Sequence, residues 1–599
     1  MADVCPGGSS SVGVHGGFKH FALDAVATFV LAACISIAWS YRADVELVLG
    51  VRFVLTLVSV WCFLLAVFIA ARVALSCRLT RQEATGQSDG LSAGERQSDA
   101  GARSSVVSRC LAALFDSAHP LRSLVAVALV IGVLWAPYLV AMAPGNMNYD
   151  TTGQIAQFFS LMEWGESYQL SDHHPAFVTF VYGSVIYACE VLFLHARLGV
   201  LILVLLQTCA TALAFSAALV VAVSRWRVPR GLAFALALWS GLFPLIPLAV
   251  CSLSKDSFFS WVFVLFVLCV AELARTRGAV LFSLRFVGGF VLVCALMALT
   301  KKFGVYVVAA TVLCALFVCG RPWRNMVRLG APLVLAGLLS WCLVPSLVVS
   351  LGGIPGGKQE MLSVPIQQVA LVYVEHGEEL SEKDRAAIDG LLECDTLAER
   401  YSPWTVDDAK KVAKGKPDDA YRTFLATWIE LGVRYPGSYF DAWAALDSPL
   451  FAGAPYEPIF SSGSHIENNG YVPDSLFEKG SERTLISGMI SDWYYEAIEV
   501  PVVGQLLKLR TWGVIVPAFF VVAMLHARQR RQLFLAFVPV VALFGSLLLG
   551  PVTWGAEASR YVMPFVYAAP FMVAFSRFAL TKCKVGSEGF AGRRPSFCG

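Results

Sequence analysis

Charge is scarce in this chain. Only 15% of its 599 residues are Asp, Glu, Lys or Arg, against 57% hydrophobic, and the mean hydropathy is +0.65. A soluble domain carries about a quarter charged residues, so an ordinary soluble enzyme is excluded. Metal and redox signatures are missing as well. The sequence has no CxxC pair and no His/Cys cluster of the kind that holds zinc. Cys34, Cys62, Cys209, Cys269, Cys294, Cys314 and Cys342 lie inside apolar runs, where cysteine serves as a small apolar residue. Residues 351–508 hold a single cysteine, Cys394, so no disulfide can form within that stretch. The opening residues, MADVCPGGSSSVGVHGG, lack the basic start and cleavage site of a signal peptide, and 21–40 reads as a first, retained span.

What is abundant is long apolar sequence. Runs of about 20 residues, long enough to cross a hydrocarbon core of roughly 30 Å, cover 21–40, 52–75, 122–143, 197–223, 231–250, 256–274, 280–299, 304–320, 329–350, 510–527, 532–550 and 561–580. A further apolar stretch, 175–194, decides the topology. Basic clusters follow the spans at Arg78 to Arg109, Arg225/Arg227/Arg230, Arg275/Arg277, Arg321/Arg324/Arg328, Arg528/Arg530/Arg531 and Lys582/Lys584. Basic residues favour the cytoplasmic side. If 175–194 crosses, most clusters fall outside; if it lies along the interface, all are cytoplasmic. The second arrangement is expected.

The sequence therefore predicts an all-α polytopic protein of the cell membrane with about 12 transmembrane helices and both termini cytoplasmic. Residues 1–121 form two N-terminal spans and a polar linker, disordered over 79–105. Residues 122–350 form a transmembrane module with an external loop, 144–196. Residues 351–509 form a mostly helical extracytoplasmic domain between spans nine and ten, 510–580 three final spans, and 581–599 a cytoplasmic tail. Within the external domain, SEKD at Ser381–Asp384 has the form of a helix-capping box. Ala420, Phe424, Trp428 and Leu431 recur at helical spacing as one apolar stripe.

With this topology the unusual polar residues collect on the outer face: Asp150, Asp172, His173, His174, Lys255, Asp256, Lys301, Lys302, Glu557 and Arg560. Charges at membrane depth are costly enough to call for a functional reason. Carboxylates beside a basic cluster at the outer leaflet suit an anionic lipid headgroup. Each residue also has a plain structural role open to it. Asp150 can cap a helix starting at Thr151, Lys255 can snorkel to headgroups, and Arg560 can pair with Glu557 one turn back. The segment GGIPGGK at 352–358 has the G-x4-G-K of a phosphate loop but Gln359 where Ser or Thr is required, and it is rejected as one.

The motifs NYDTTGQIAQF (148–158), SDHHPAFVTFVYG (171–183), SKDSFF (254–259) and EMLSVPIQQVALVY (360–373) resemble a group of bacterial membrane proteins similar to the GT-C superfamily. These are polytopic glycosyltransferases that use polyprenyl-phosphate sugars. The resemblance covers most of 122–580. It implies a GT-C-like fold and transfer of a sugar from a polyprenyl-phosphate donor to a cell-envelope glycan or lipid acceptor on the extracytoplasmic face. It also implies Asp150 as the catalytic acid, with His173, His174 and Asp172 beside it. Lys255, Asp256, Lys301, Lys302, Arg560, Tyr561, Gln367 and Gln368 make up the substrate-binding set. Many GT-C enzymes place a second acid next to the first, whereas Tyr149 and Thr151 flank Asp150 here. Asp172 or Asp256 is left to supply it, and use of a divalent metal stays open. No other cofactor and no nucleic-acid partner is expected. A lipid or polysaccharide transporter or flippase is the rival reading, and a wall-polymer polymerase or ligase a third.

Overall fold

The computed structural model describes residues 11–44, 46–85, 108–164, 167–319, 323–458, 484–550 and 558–580. Glu557, most of the 79–105 linker and the tail 581–599 lie outside them; residues 79–85 continue the second helix, Val51–Thr85, rather than opening a linker.

The chain is a helical, multi-pass membrane protein. Among the described residues, eight helices are long and apolar enough to cross a membrane, and five shorter apolar helices of 10–17 residues accompany them. Together they account for the apolar runs read from the sequence. The expected span over 231–250 is broken, however, into Arg230–Leu242 and Leu245–Val250. Pro244 sits at the break and Pro247 just beyond it, and neither can donate a backbone hydrogen bond. The runs at 510–527 and 532–550 likewise open with a π-helical turn, Thr511–Ile515, and a 3-10 stretch, Arg528–Phe537, each followed by a proline at the start of the α-helix.

The stretch expected along the interface is a helix, Ala176–Phe193, and by length and composition it counts among the eight. Its partners are residues that open neighbouring helices. Tyr182 donates to Ser254 O at 3.1 Å, Phe177 and Tyr182 lie against Phe258, and Gly199 closes on Ile186.

Residues 363–452 build a separate helical unit with its own core. Ile366, Val369, Ile388, Leu391, Phe424 and Leu431 are buried in it, and Ala420 and Trp428 pack against it, as the stripe in the sequence predicts. Ser381 caps Glu382–Leu392 by accepting from Asp384 N at 3.2 Å. The last helix of this unit, Pro436–Ala452, leans on the first helix of the chain, Ser11–Asp44: Tyr41 bonds Asp441, and Trp39 Nε1 donates to Ala452 O at 2.8 Å. The other end of that first helix is held by a buried polar knot. Asp24, 1% exposed, accepts from Arg72 Nε at 3.0 Å and from His526 Nε2 at 2.7 Å, and His526 Nδ1 meets His20 Nδ1 at 2.5 Å. The N-terminal pair of helices is thus fastened to the bundle and to the helical unit alike.

Candidate active site

Two short strands organise the site. β1 (Asn146–Met147) and β2 (Ser252–Leu253) pair in parallel, Asn146 opposite Ser252 and Met147 opposite Leu253. Gly145 leads into β1 with φ +134°, and a Cβ there would lie 2.4 Å from Val204, so only glycine lets the chain pass. Each strand runs directly into a helix, Tyr149–Leu161 from β1 and Lys255–Thr276 from β2. The caps are Asn148, whose side chain accepts from Thr151 N, and Ser254, which accepts from Ser257 N, both at 3.0 Å. Thr151 Oγ1 also lies 2.7 Å from Leu253 O, tying the first helix to the second strand. Asp150 and Asp256 are the second residues of the two helices, where the exposed N–H groups of the first turn favour a carboxylate. The capping role that the sequence left open to Asp150 belongs to Asn148, and the helix opens at Tyr149 rather than Thr151.

Around these two acids the fold collects cations from distant parts of the chain. Lys255 Nζ lies 2.9 Å from Asp150 Oδ2 and 2.7 Å from His174 Nδ1. Arg560, at the start of the last helix, bonds Asp150 through Nη2 and reaches Asp256 Oδ2 through Nε at 2.8 Å. Lys301 pairs with Asp256 and lies 4.1 Å over the Tyr561 ring, which Arg560 also approaches at 5.4 Å. The arrangement reads His174, Lys255, Asp150, Arg560, Asp256, Lys301, alternating in sign after the imidazole, with Asp256 only 1% exposed. Burial alone would raise the Asp150 carboxyl, but Lys255 and Arg560 outweigh it and hold the group well below the usual carboxylate range. An ammonium has donors and no acceptor, so the lysine donates into His174 Nδ1 and the imidazole is neutral, with its proton on Nε2, 3.5 Å from Asp150 Oδ1. Burial and the neighbouring Lys255 push His174 well below the ordinary histidine range.

The His173 ring lies against that of His174, centroids 4.4 Å apart and planes tilted by 54°, and its Nδ1 is 3.8 Å from Glu360, which Lys410 holds at 2.9 Å. This link from the loop to the helical unit was not visible in the sequence. Asp172 pairs with Lys302, apart from Asp150. It is set by the glycine-rich segment rejected as a phosphate loop: Asp172 N donates to Ile354 O at 3.0 Å and Ile354 N to Leu170 O at 2.9 Å. A Cβ on Gly356 would come within 2.6 Å of Asp172 O, so the glycines of GGIPGG serve close backbone approach.

Gln367 and Gln368 stand outside the cluster. Gln367 Nε2 donates to Ser402 O at 2.6 Å, and Gln368 donates to Tyr439 O at 3.1 Å and accepts from Trp428 Nε1 at 2.8 Å. Both brace the helical unit from within, and Trp428 and Tyr439 are engaged there too. As for a metal, Asp150 and Asp256 are each taken up by cationic side chains, and among the described residues no group of three or more His, Cys, Asp or Glu is placed to hold one. The donor set does not fit a metal.

No curated protein and no solved structure matches the chain. A family model does match, over residues 162–584. That stretch begins after Asp150 and the first two helices, and contains His174, Lys255, Asp256, Lys301 and Arg560. Because the match covers more than half of its length, the chain belongs to this family of unknown function, DUF6020.

Proposed function

We propose that this protein is an integral-membrane glycosyltransferase that moves a sugar from a polyprenyl-phosphate donor to a cell-envelope glycan or lipid on the extracytoplasmic face. The observation that carries the proposal is Asp150, a carboxylate held between Lys255 and Arg560 with Lys301 one step further on. Transfer needs a base for a weakly nucleophilic hydroxyl and cations for a departing phosphate, and both requirements meet at this point.

In the proposed step the acceptor hydroxyl oxygen attacks the anomeric carbon. The bond from that carbon to the lipid-phosphate oxygen breaks, the phosphate leaves with the electron pair, and the hydroxyl proton passes to Asp150. Lys255, Arg560 and Lys301 take the charge that develops on the leaving phosphate. The helical unit above, joined to the site through Glu360 and His173, would present the acceptor. The helix Ala176–Phe193 would lie along the interface and lead the lipid donor towards Asp150.

The proposed sidedness draws support from the helix Lys255–Thr276. It carries Lys255 at the cluster and Arg275 and Arg277 at its far end, where basic residues mark the cytoplasm. In a background without other reactive thiols, a cysteine replacing Glu378 should react with an impermeant reagent in intact cells, and one replacing Arg227 should not. Reversed labelling would put Asp150 in the cytoplasm and end the proposal. The activity itself is tested with purified protein and a panel of polyprenyl-phosphate sugars, reading the lipid phosphate released. Movement of intact lipid-linked sugar across vesicles without its cleavage would instead favour a flippase.

A further inference from the structure

In the resting site, Lys255 is shared. Its ammonium donates both to Asp150 Oδ2 and to His174 Nδ1, at 2.9 and 2.7 Å. The three cations of the cluster face two carboxylates, so one positive charge is left over to attract an anion. An arriving phosphate must compete for donors already committed, and Lys255 is the one whose release costs the site least. Asp150 keeps Arg560 when Lys255 turns away, whereas His174 Nδ1 has Lys255 as its donor. A buried imidazole nitrogen that loses its donor beside incoming negative charge has one repair available, which is to take up a proton and become the donor itself.

We propose that binding of a lipid phosphodiester draws Lys255 from His174 onto the phosphate and is coupled to uptake of one proton by His174 Nδ1. The inference rests on the phosphate-binding reading of the site and adds to it a proton-linked residue. The groups that face His174 are Lys255, Asp150, Arg560 and the adjoining His173, with Glu360 and Lys410 beyond His173. Asp150 and the phosphate favour the imidazolium; Arg560 and His173 oppose it to a lesser degree than Lys255, whose opposition is greatest while it points at the ring. The low affinity of the resting His174 for protons agrees with the same geometry. Once protonated, His174 can hand its Nδ1 proton to the phosphate oxygen as the bond to the sugar breaks, while the hydroxyl proton goes to Asp150. Each residue then holds one separate proton of the reaction.

The test is calorimetry on the full-length protein in nanodiscs with dodecyl methyl phosphate, a lipid phosphodiester that does not itself titrate near neutral pH. Binding heats at pH 7 in buffers of different ionisation enthalpy give the number of protons exchanged. The expected result is uptake of about one proton per ligand, with affinity falling up to about tenfold per unit of pH increase. Nitrogen shifts of labelled His174 should move to the imidazolium range on ligand addition. In His174→Gln the uptake should vanish while binding persists; in Asp150→Asn it should remain. Binding without proton uptake, or uptake that survives in His174→Gln, overturns the inference and leaves the phosphate site standing. Failure of the wild-type protein to bind the phosphodiester overturns both.

Discussion

Asp150 and Asp256 hold equivalent positions in two neighbouring helices, and one guanidinium, that of Arg560, forms an ion pair with each. The equivalence is written in the chain as NMNYDT (146–151) and SLSKDS (252–257). In each, a strand residue pair is followed by a cap, one further residue, the acid, and the hydroxyl residue whose N–H the cap receives. The parallel register brings the two copies side by side and makes two carboxylates converge where the helices begin.

This arrangement separates the proposed chemical role of Asp150 from a structural one. Asp150→Asn should lower transfer by about 10²–10⁴-fold, the usual share of general acid–base catalysis, and leave folding intact. Asn148→Ala should do the reverse, costing about 1 kcal/mol of stability through the lost cap. Released lipid phosphate and thermal unfolding in detergent measure the two effects. Full activity in a well-folded Asp150→Asn protein would remove it as the base.

Arg560 should be hard to replace. Arg560→Met leaves the buried Asp256 with Lys301 and takes a partner from Asp150, and losing one partner of a buried ion pair typically costs about 3–5 kcal/mol. Arg560→Lys should recover little, because an ammonium cannot span two carboxylates as the planar fork does. A lysine variant as stable as the wild type would show that the bridge is unimportant.

Acid stability should report on His174. Its folded-state proton affinity is depressed, so as pH falls below about 6.5 the unfolded chain binds a proton that the native site refuses. Stability should then drop by at most about 1.4 kcal/mol per pH unit from this residue, and be fully present above that range. Asp150 is also depressed, so its contribution is present above about pH 3.9 and lost only as pH falls further. The loss just below pH 6.5 should therefore shrink in His174→Gln and persist in Asp150→Asn.

The knot at the other end of the bundle makes a separate prediction. Asp24→Leu strands Arg72 and His526 without their shared acceptor and should cost about 3–5 kcal/mol. Asp24→Leu combined with Arg72→Leu should restore part of the loss, since an apolar pair can replace a buried ion pair. Thermal unfolding of the two variants decides it, and equal loss in both would mean that the pair carries no coupling.

The apolar runs were legible because hydrophobic length is a local property, and so was the helical unit, with its capping box and its stripe. Asp150, His174, Lys255, Lys301 and Arg560 could be suspected one by one from charge at span ends. Their order around Arg560 could not, because it depends on strand register and on which helix ends meet. Asp24 was hidden inside the first apolar run, and only its burial against His526 gives it meaning. Gln367 and Gln368 show the converse: their motif was conspicuous, yet their amide nitrogens donate to backbone carbonyls within the helical unit.

The bridge from Asp150 to Arg560 spans 410 residues of sequence, which has a consequence during synthesis. At roughly 5–20 residues per second, the first acid is made some 20–80 s before the guanidinium that will hold it. Lys255 and Lys301 emerge in between, so the nascent chain can neutralise its two carboxylates only in stages. Until the last helix enters the bilayer, Asp256 has Lys301 alone and the cluster stays open to water. A chain cut short before Arg560 would carry every other charged member of the cluster and still present the quality-control machinery of the membrane with an unfinished seam.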